Sequence, residues 1–313
     1  MEELVSIIIP TYNRANLICD ALDSVAQQSH SHWECLIIDD GSTDNTLAIV
    51  AEYSKKDSRF SFYKRPSHKP KGANACRNYG LEKSSGQFIC WLDSDDLLHP
   101  DHLSIHLNAH CKKKIDASIS IAKTFETSIT QQLGLWSKIF PANSALDELI
   151  SGKIAWQTAA VLWDKNSLPA KPFNEKLQSA QEWTFHITMV LQGISYVLID
   201  EGTVFIRRHE QRIGKDESAK KYKSRFLSRN MILKHLFATH QLDRNKEKEL
   251  LNAMLNALRK SVRYKYIKTV LSMMLSLLSF LPKTRFTSHI LKVILVGIPL
   301  YIFTGKGITL FKI

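Results

Sequence analysis

The sequence predicts an α/β fold, a mostly parallel sheet with helices on both faces, followed by a basic helical carboxyl-terminal region. Three observations lead there. Apolar β-branched runs alternate with amphipathic segments through the first 92 residues, in the pattern βαβαβαβ. The runs that reach one end of this sheet finish in polar, turn-forming residues. The chain has 313 residues, 44% of them hydrophobic and 23% charged, so it can bury a substantial core and is unlike a disordered polypeptide.

The elements follow in order. Leu4 to Pro10, "LVSIIIP", is the kind of run buried on both faces of a parallel sheet. Asn16 to Gln28 reads as a helix with Leu17, Ala21, Leu22 and Val25 on one face. Trp33 to Asp40 is a second buried strand, and "GSTDNT" after it offers Ser42, Thr43 and Asp44 as caps for a helix through Tyr53. Phe60 to Lys64 is a third strand, Ala73 to Lys83 a third helix and Gln87 to Leu92 a fourth strand. Beyond it, Ala117 to Thr124 is strand-like, Ala145 to Gly152 a short helix and Trp156 to Trp163 an extended piece. Gln181 to Leu191 is helical and apolar around much of its circumference; Ser195 to Asp200 and Thr203 to Arg207 are short strands. From Lys220 onward the chain is helical and basic.

Five widely spaced cysteines (Cys19, Cys35, Cys76, Cys90, Cys111) show no metal-ligand spacing, which points to reduced thiols facing the cytosol. The acidic start, Met1-Glu2-Glu3, lacks the basic region and apolar stretch of a signal peptide.

The fourth strand ends in Asp93, Asp95 and Asp96. Like charges this close are costly unless a cation sits among them. Read as a plain surface turn, the cluster would serve only to cap the next helix, through Asp96 or Asp101. Right-handed crossovers, however, bring the carboxyl ends of parallel strands to one edge, where open α/β sheets bind ligands. Three chemically loaded segments fall there: Pro10-Thr11-Tyr12-Asn13-Arg14, Asp39-Asp40-Gly41-Ser42 and Asp93-Ser94-Asp95-Asp96.

"VSIIIPTYNR", "LIIDDGSTDNT", "GANACRNYGL" and "WLDSDDLLHPDHL" occur in the order and spacing of family 2 glycosyltransferases of the GT-A fold, and over roughly the first 210 residues the chain resembles that family. The resemblance implies a Rossmann-like GT-A catalytic domain over 1–210, with 211–249 a helical linker. It implies inverting transfer of a sugar from a nucleotide-diphosphate sugar, a UDP-sugar first among donors, to a glycan or lipid-linked glycan acceptor. The departing diphosphate needs a divalent cation, Mn²⁺ or Mg²⁺, and hard oxygen ligands suit both. The Asp-x-Asp motif that holds it matches Asp93 and Asp95, with Asp95 the stronger ligand candidate.

By the same resemblance Pro10, Thr11, Tyr12 and Arg14 with Asp39 and Asp40 hold the nucleoside, Asp40 being the choice for the base. Ser94 lies on the donor side with the Asp-x-Asp pair. Lys69, Lys71, Arg77 and Asn78 come near the same rim, where Lys71 and Arg77 can meet phosphate oxygens; Arg77 and Asn78 can equally pin the rim loops. In "QEWTFHI", Glu182 takes the place of the family's catalytic Asp, one methylene longer. "RRHEQRI" resembles the loop that closes over the donor, with His209 a further metal ligand or diphosphate contact and Arg208 or Arg212 assisting. Trp156, Gln157 and Thr158 are placed on the acceptor side, although core is the commoner fate of a tryptophan. A nucleotidyltransferase, or a non-catalytic nucleotide-sugar-binding scaffold, are the competing functions.

The net charge of +12 is uneven: Leu250 to Ile313 holds ten Lys and Arg and no Asp or Glu, leaving +2 for the preceding 249 residues. Two apolar runs, Val270 to Leu281 and Ile290 to Phe303, are each too short to span a bilayer, which takes about 20 residues. Region 250–313 is therefore expected either to lie on an anionic membrane surface, giving a peripheral protein on the cytoplasmic side, or to pack on protein. No nucleic-acid-binding motif accompanies the charge, so nucleic acid is not expected as a partner.

Overall fold

Successive side chains of a strand point to opposite faces of its sheet, and β1 (Val5–Thr11) shows the consequence. Ile7 and Ile9 belong to one core with Leu22 and Val25 of α1 (Ile18–Ala26), while Ile8 joins the core on the other face. Burial on both faces is why this run reads as uninterrupted apolar sequence. The structure, a computed structural model, describes residues 3–208, 217–304 and 308–313.

β2 (Trp33–Asp39), α2 (Thr46–Lys56), β3 (Phe60–Lys64), α3 (Ala73–Lys83) and β4 (Phe88–Trp91) follow as expected, with β2 and β4 parallel to β1 on either side and β3 parallel to β2. The second half is mixed. It comprises β5 (Leu97–Leu98), α4 (His102–Lys112), β6 (Ala117–Phe125), β7 (Gln132–Leu135), α5 (Ala145–Ser151), β8 (Val161–Asp164), α6 (Gln181–Leu191) and β9 (Tyr196–Arg207). The sheet runs β3-β2-β1-β4-β8-β6-β9-β5, with β7 pairing β6. β8 is antiparallel to both β4 and β6.

Two segments differ from expectation. Trp156 to Trp163 is not one extended piece: a 3₁₀ turn at Thr158–Ala160 precedes β8. The strands expected at Ser195–Asp200 and Thr203–Arg207 form the single strand β9, whose register with β6 shifts near Gly202.

α3 lies unusually close to the sheet. A Cβ on Gly80 would come 2.3 Å from Ile8 Cγ2, so the missing side chain sets how near Arg77 and Asn78 approach the strand ends.

Downstream come α7 (Ala219–Ala238), α8 (Arg244–Arg263), α9 (Ile267–Phe280), α10 (Thr287–Lys292) and α11 (Ile298–Thr304), the last two joined by a π-helical turn at Val293–Gly297. Pro299 cannot donate to the carbonyl four residues back, and a wider turn just ahead of it accommodates that loss. Ser218 caps α7 and Asp243 caps α8. The boundary expected at residue 250 falls inside α8, whose Leu250, Leu251, Met254, Leu255 and Leu258 are buried in the same core as Trp91, Trp163 and Phe185. α9 buries Val270, Met273, Leu277 and Phe280 and exposes Ile267, Leu271, Leu275 and Leu278.

Buried histidines hold α4 under the sheet. His102 Nδ1 lies 2.8 Å from Thr203 Oγ1 on β9, and His106 Nδ1 lies 2.7 Å from Ser118 Oγ on β6. Burial pushes His102 down to about 3, and His106 well below the usual value; on α6, burial also pushes His186 down to about 3. All three are neutral in the fold but take up protons on unfolding below about pH 6.5. Their contribution is fully present above that pH and is lost as pH falls from about 6.5 toward 3, at up to about 1.4 kcal/mol per pH unit for each. The urea midpoint should decline through this window, and His106→Asn should flatten the slope whatever its effect at pH 8.

Candidate active site

The carboxyl ends of β1, β2 and β4 form a rim, and three loops there are tied to one another. Asn13, at φ 50°, donates its amide to Ser42 Oγ (2.9 Å) and accepts from the Thr43 amide (2.8 Å). The Arg14 amide donates to Thr46 Oγ1 at 2.8 Å. Asp39 accepts the Gly41 and Ser42 amides at 3.0 Å each, so its carboxylate builds the turn. Asp40 is 7% exposed and pairs with Arg65, whose guanidinium also donates to the carbonyls of Pro66 and Lys69. Tyr12 is exposed, with the Lys71 ammonium 3.9 Å over its ring. Pro10 is buried, and Thr11 Oγ1 is a buried hydroxyl with no hydrogen-bond partner among the described residues.

At the end of β4, carboxylate oxygens of Asp93, Asp95 and Asp96 lie within 4.8 Å of one another. Arginines from three elements face them. Arg77 of α3, 4% exposed, donates to Asp93. Arg14 comes 3.7 Å from Asp95. Arg207, at the end of β9, donates its amide to Asp96 (3.0 Å) and its Nε to the Asp95 carbonyl (3.2 Å). Asp96 also accepts from Gln157 Nε2 at 3.4 Å. It therefore braces the rim rather than capping α4. Ser94, between the ligand candidates, is buried. The donor set is three hard carboxylates of which Asp93 and Asp95 face outward, and this fits a small divalent cation.

Other expected residues are distributed as follows. Asn78 is buried and holds the 173–175 segment: it donates to the Phe173 carbonyl (2.8 Å) and Glu175 (3.0 Å) and accepts the Phe173 amide (3.1 Å). Trp156 is 1% exposed and in the core, its Nε1 on the Ile139 carbonyl. Glu182 stands in the first turn of α6, where Thr158 Oγ1 donates to it at 3.3 Å. Gln157 and Thr158 are neighbours on one 3₁₀ turn, so a two-residue bridge joins the acidic cluster to Glu182. His209 and Arg212 lie outside the described residues. Sequence reasoning missed the bracing roles of Arg207 and Asp96, and Arg65 altogether. The position of Arg207 at the end of a strand, as the first residue of "RRHEQRI", was the available signal for it.

Residues 6–164 match the model of glycosyl transferase family 2. The chain belongs to that family. It is 40% identical over 112 residues to the UDP-Glc:alpha-D-GlcNAc-diphosphoundecaprenol beta-1,3-glucosyltransferase WfgD of Escherichia coli, covering 36% of this chain and 43% of WfgD. It is 30% identical over 200 residues to the GalNAc(5)-diNAcBac-PP-undecaprenol beta-1,3-glucosyltransferase of Campylobacter jejuni, covering 62% of each. The chain spans less than two thirds of the length of such curated relatives, and only 16% for one from Rickettsia felis. Among solved structures, S. aureus TarS 1–349 in complex with UDP-GlcNAc superposes with a TM-score of 0.67 at 17% identity, over 96% of this chain and 89% of that one. The shared architecture is the GT-A fold, with the helical region included in the superposed length.

The two kinds of carboxylate at this rim separate experimentally. Asp95→Asn should leave the urea midpoint unchanged and abolish Mn²⁺ binding read by calorimetry. Asp96→Asn should cost about 1–3 kcal/mol of stability, the usual scale for a disrupted buried bond to a charged group.

Proposed function

We propose that the chain is an inverting glycosyltransferase that moves a sugar from a nucleotide-diphosphate sugar, a UDP-sugar first among donors, to a hydroxyl of a glycan or lipid-linked glycan. The setting is cell-surface polysaccharide synthesis at the cytoplasmic face of a membrane. The observation that supports this reading is the Gln157–Thr158 bridge, which links Asp96 of the acidic cluster to Glu182 through neighbouring residues. Family membership supports the reaction class, and the lipid-diphosphate acceptors in the names of WfgD and the Campylobacter enzyme support the acceptor class.

In this reading Tyr12, Thr11 and the Asp39–Asp40 turn bracket the nucleoside, and Lys71 with Arg14 faces the diphosphate. Asp93 and Asp95 would hold Mn²⁺ or Mg²⁺, which supplies charge neutralisation for the departing diphosphate. Glu182 accepts the proton of the acceptor hydroxyl as that oxygen bonds to the anomeric carbon. The bond from that carbon to the diphosphate breaks on the opposite face, which inverts the centre and releases the nucleoside diphosphate. Thr158 and the helix start orient the carboxylate. Glu182→Gln should keep donor affinity and lose at least ~10²-fold in turnover, the scale for removing a general base. Glu182→Asp should retain activity. Nucleoside diphosphate release across a donor panel measures both, and normal turnover in Glu182→Gln would move the base elsewhere.

The membrane assignment rests on the outer face of the helical region. Ile267, Leu271, Leu275 and Leu278 make an exposed stripe on α9, and Leu295, Val296 and Leu300 a second patch, among Lys268, Lys283 and Lys292. No helix among the described residues is long and apolar enough to cross a membrane. Shallow insertion with the cations at anionic headgroups suits this composition. Replacing Leu271 and Leu275 with Ser should release the protein from phosphatidylglycerol vesicles in co-sedimentation, with thermal unfolding unchanged. If the intact protein stays in the supernatant even at low salt, the stripe faces protein instead.

A further inference from the structure

Arg229 of α7 stands apart from the other inward-facing arginines. Arg14, Arg65, Arg77 and Arg207 each pair with a carboxylate. Arg229 lies over Trp183 with its guanidinium carbon 3.9 Å from the ring centroid, and among the described residues it makes one hydrogen bond, to Ser228 Oγ at 2.9 Å. Among the described residues neither it nor Arg225, one helical turn earlier, pairs with a carboxylate. The acidic side chains of the surrounding elements are engaged elsewhere. Asp147 of α5 meets Lys246, Glu148 accepts the Ala142 and Asn143 amides, and Glu182 of α6 accepts from Thr158. Burial, and secondarily Arg225, pull the Arg229 pKa down to about 10, as expected for a cation with no anion beside it. This half-buried guanidinium gives one hydrogen bond to protein, which leaves its other donors to water or a ligand, and phosphate oxygens match that fork.

Its position is informative. Trp183 follows Glu182 directly, and its indole is fixed by a 2.8 Å bond from Nε1 to the Leu149 carbonyl. On the other side, the next residue, Asn230, donates to Ser276 Oγ of α9 at 3.2 Å. α7 thus packs between α6, the helix carrying the base candidate, and α9, the helix carrying the exposed apolar stripe, with the guanidinium on its α6 side. A glycan joined to a lipid through a diphosphate has its groups in that same order: accepting hydroxyl, diphosphate, hydrocarbon. We infer that Arg229, with Arg225, forms an anion subsite for the diphosphate of a lipid-linked acceptor. This deepens the functional reading above and rests on it.

The test uses the full chain in chelator, so that the acidic cluster holds no cation, with farnesyl diphosphate as the probe in calorimetric titration. Farnesyl diphosphate should bind, UDP should not displace it, and Arg229→Gln should weaken it at least ~10-fold, the loss expected for a charged hydrogen bond. Arg225→Gln, at an exposed position outside the core, should weaken it about 5-fold, so the result does not depend on packing at Arg229. No binding, binding unchanged in both variants, or displacement by UDP would overturn the subsite. Equal binding of farnesol would assign recognition to the hydrocarbon alone, and equal binding of inorganic pyrophosphate to a free anion; either also overturns it. UDP titration of the same protein in Mn²⁺ checks the donor reading separately, so the two can fail independently.

Discussion

Everything at the rim depends on holding like charges together. Three carboxylates converge within 4.8 Å at the end of β4, and each has an arginine contact from a different element: Asp93 from α3, Asp95 from the loop after β1 and Asp96 from the end of β9. Electrostatic repulsion is thereby turned into a docking requirement, because the cluster is tolerable only when all three elements are in place. Asp40 and Arg65 repeat the arrangement two strands away, at the end of β2. A rim built this way is pre-organised, since its side chains are fixed by partners before any ligand arrives.

The same economy joins the cluster to Glu182. Gln157 and Thr158 come from the turn that leads into β8, an antiparallel strand inserted between β4 and β6. Its insertion sets the spacing between the acidic edge and α6. Small displacements matter in such a geometry, since about 1 Å of misplacement can lower a rate substantially. The longer Glu side chain is held by a hydroxyl from a nearly buried threonine, which limits the freedom the extra methylene brings.

The helical region is part of the same body. α7 and α8 share the core that contains Trp91, Trp163 and Phe185, so α6 is supported by chain far downstream. α9 then divides its surface, packing Val270, Met273 and Leu277 inward and leaving its leucine stripe outward. One apolar helix thus serves the core and an external surface together.

Much of this was legible in the residues themselves. The parallel half of the sheet, the helix at Gln181–Leu191 and the convergence of the Pro10, Asp39 and Asp93 segments follow from periodicity and crossover handedness, which are local or nearly local rules. The family motifs carried the catalytic assignment, because their spacing is a property of the chain. Partnership is different. That Asp96 takes the amide of Arg207, that Asn78 holds residues 173–175 and that Arg65 claims Asp40 are contacts between residues 25 to 111 positions apart. The same holds for α8, whose apolar face was readable but whose place in the core with Trp91 and Trp163 was not. Composition and periodicity determined which elements form and which faces are apolar; only the tertiary structure decided which charge meets which, because ion pairs and hydrogen bonds depend on distances that folding alone creates.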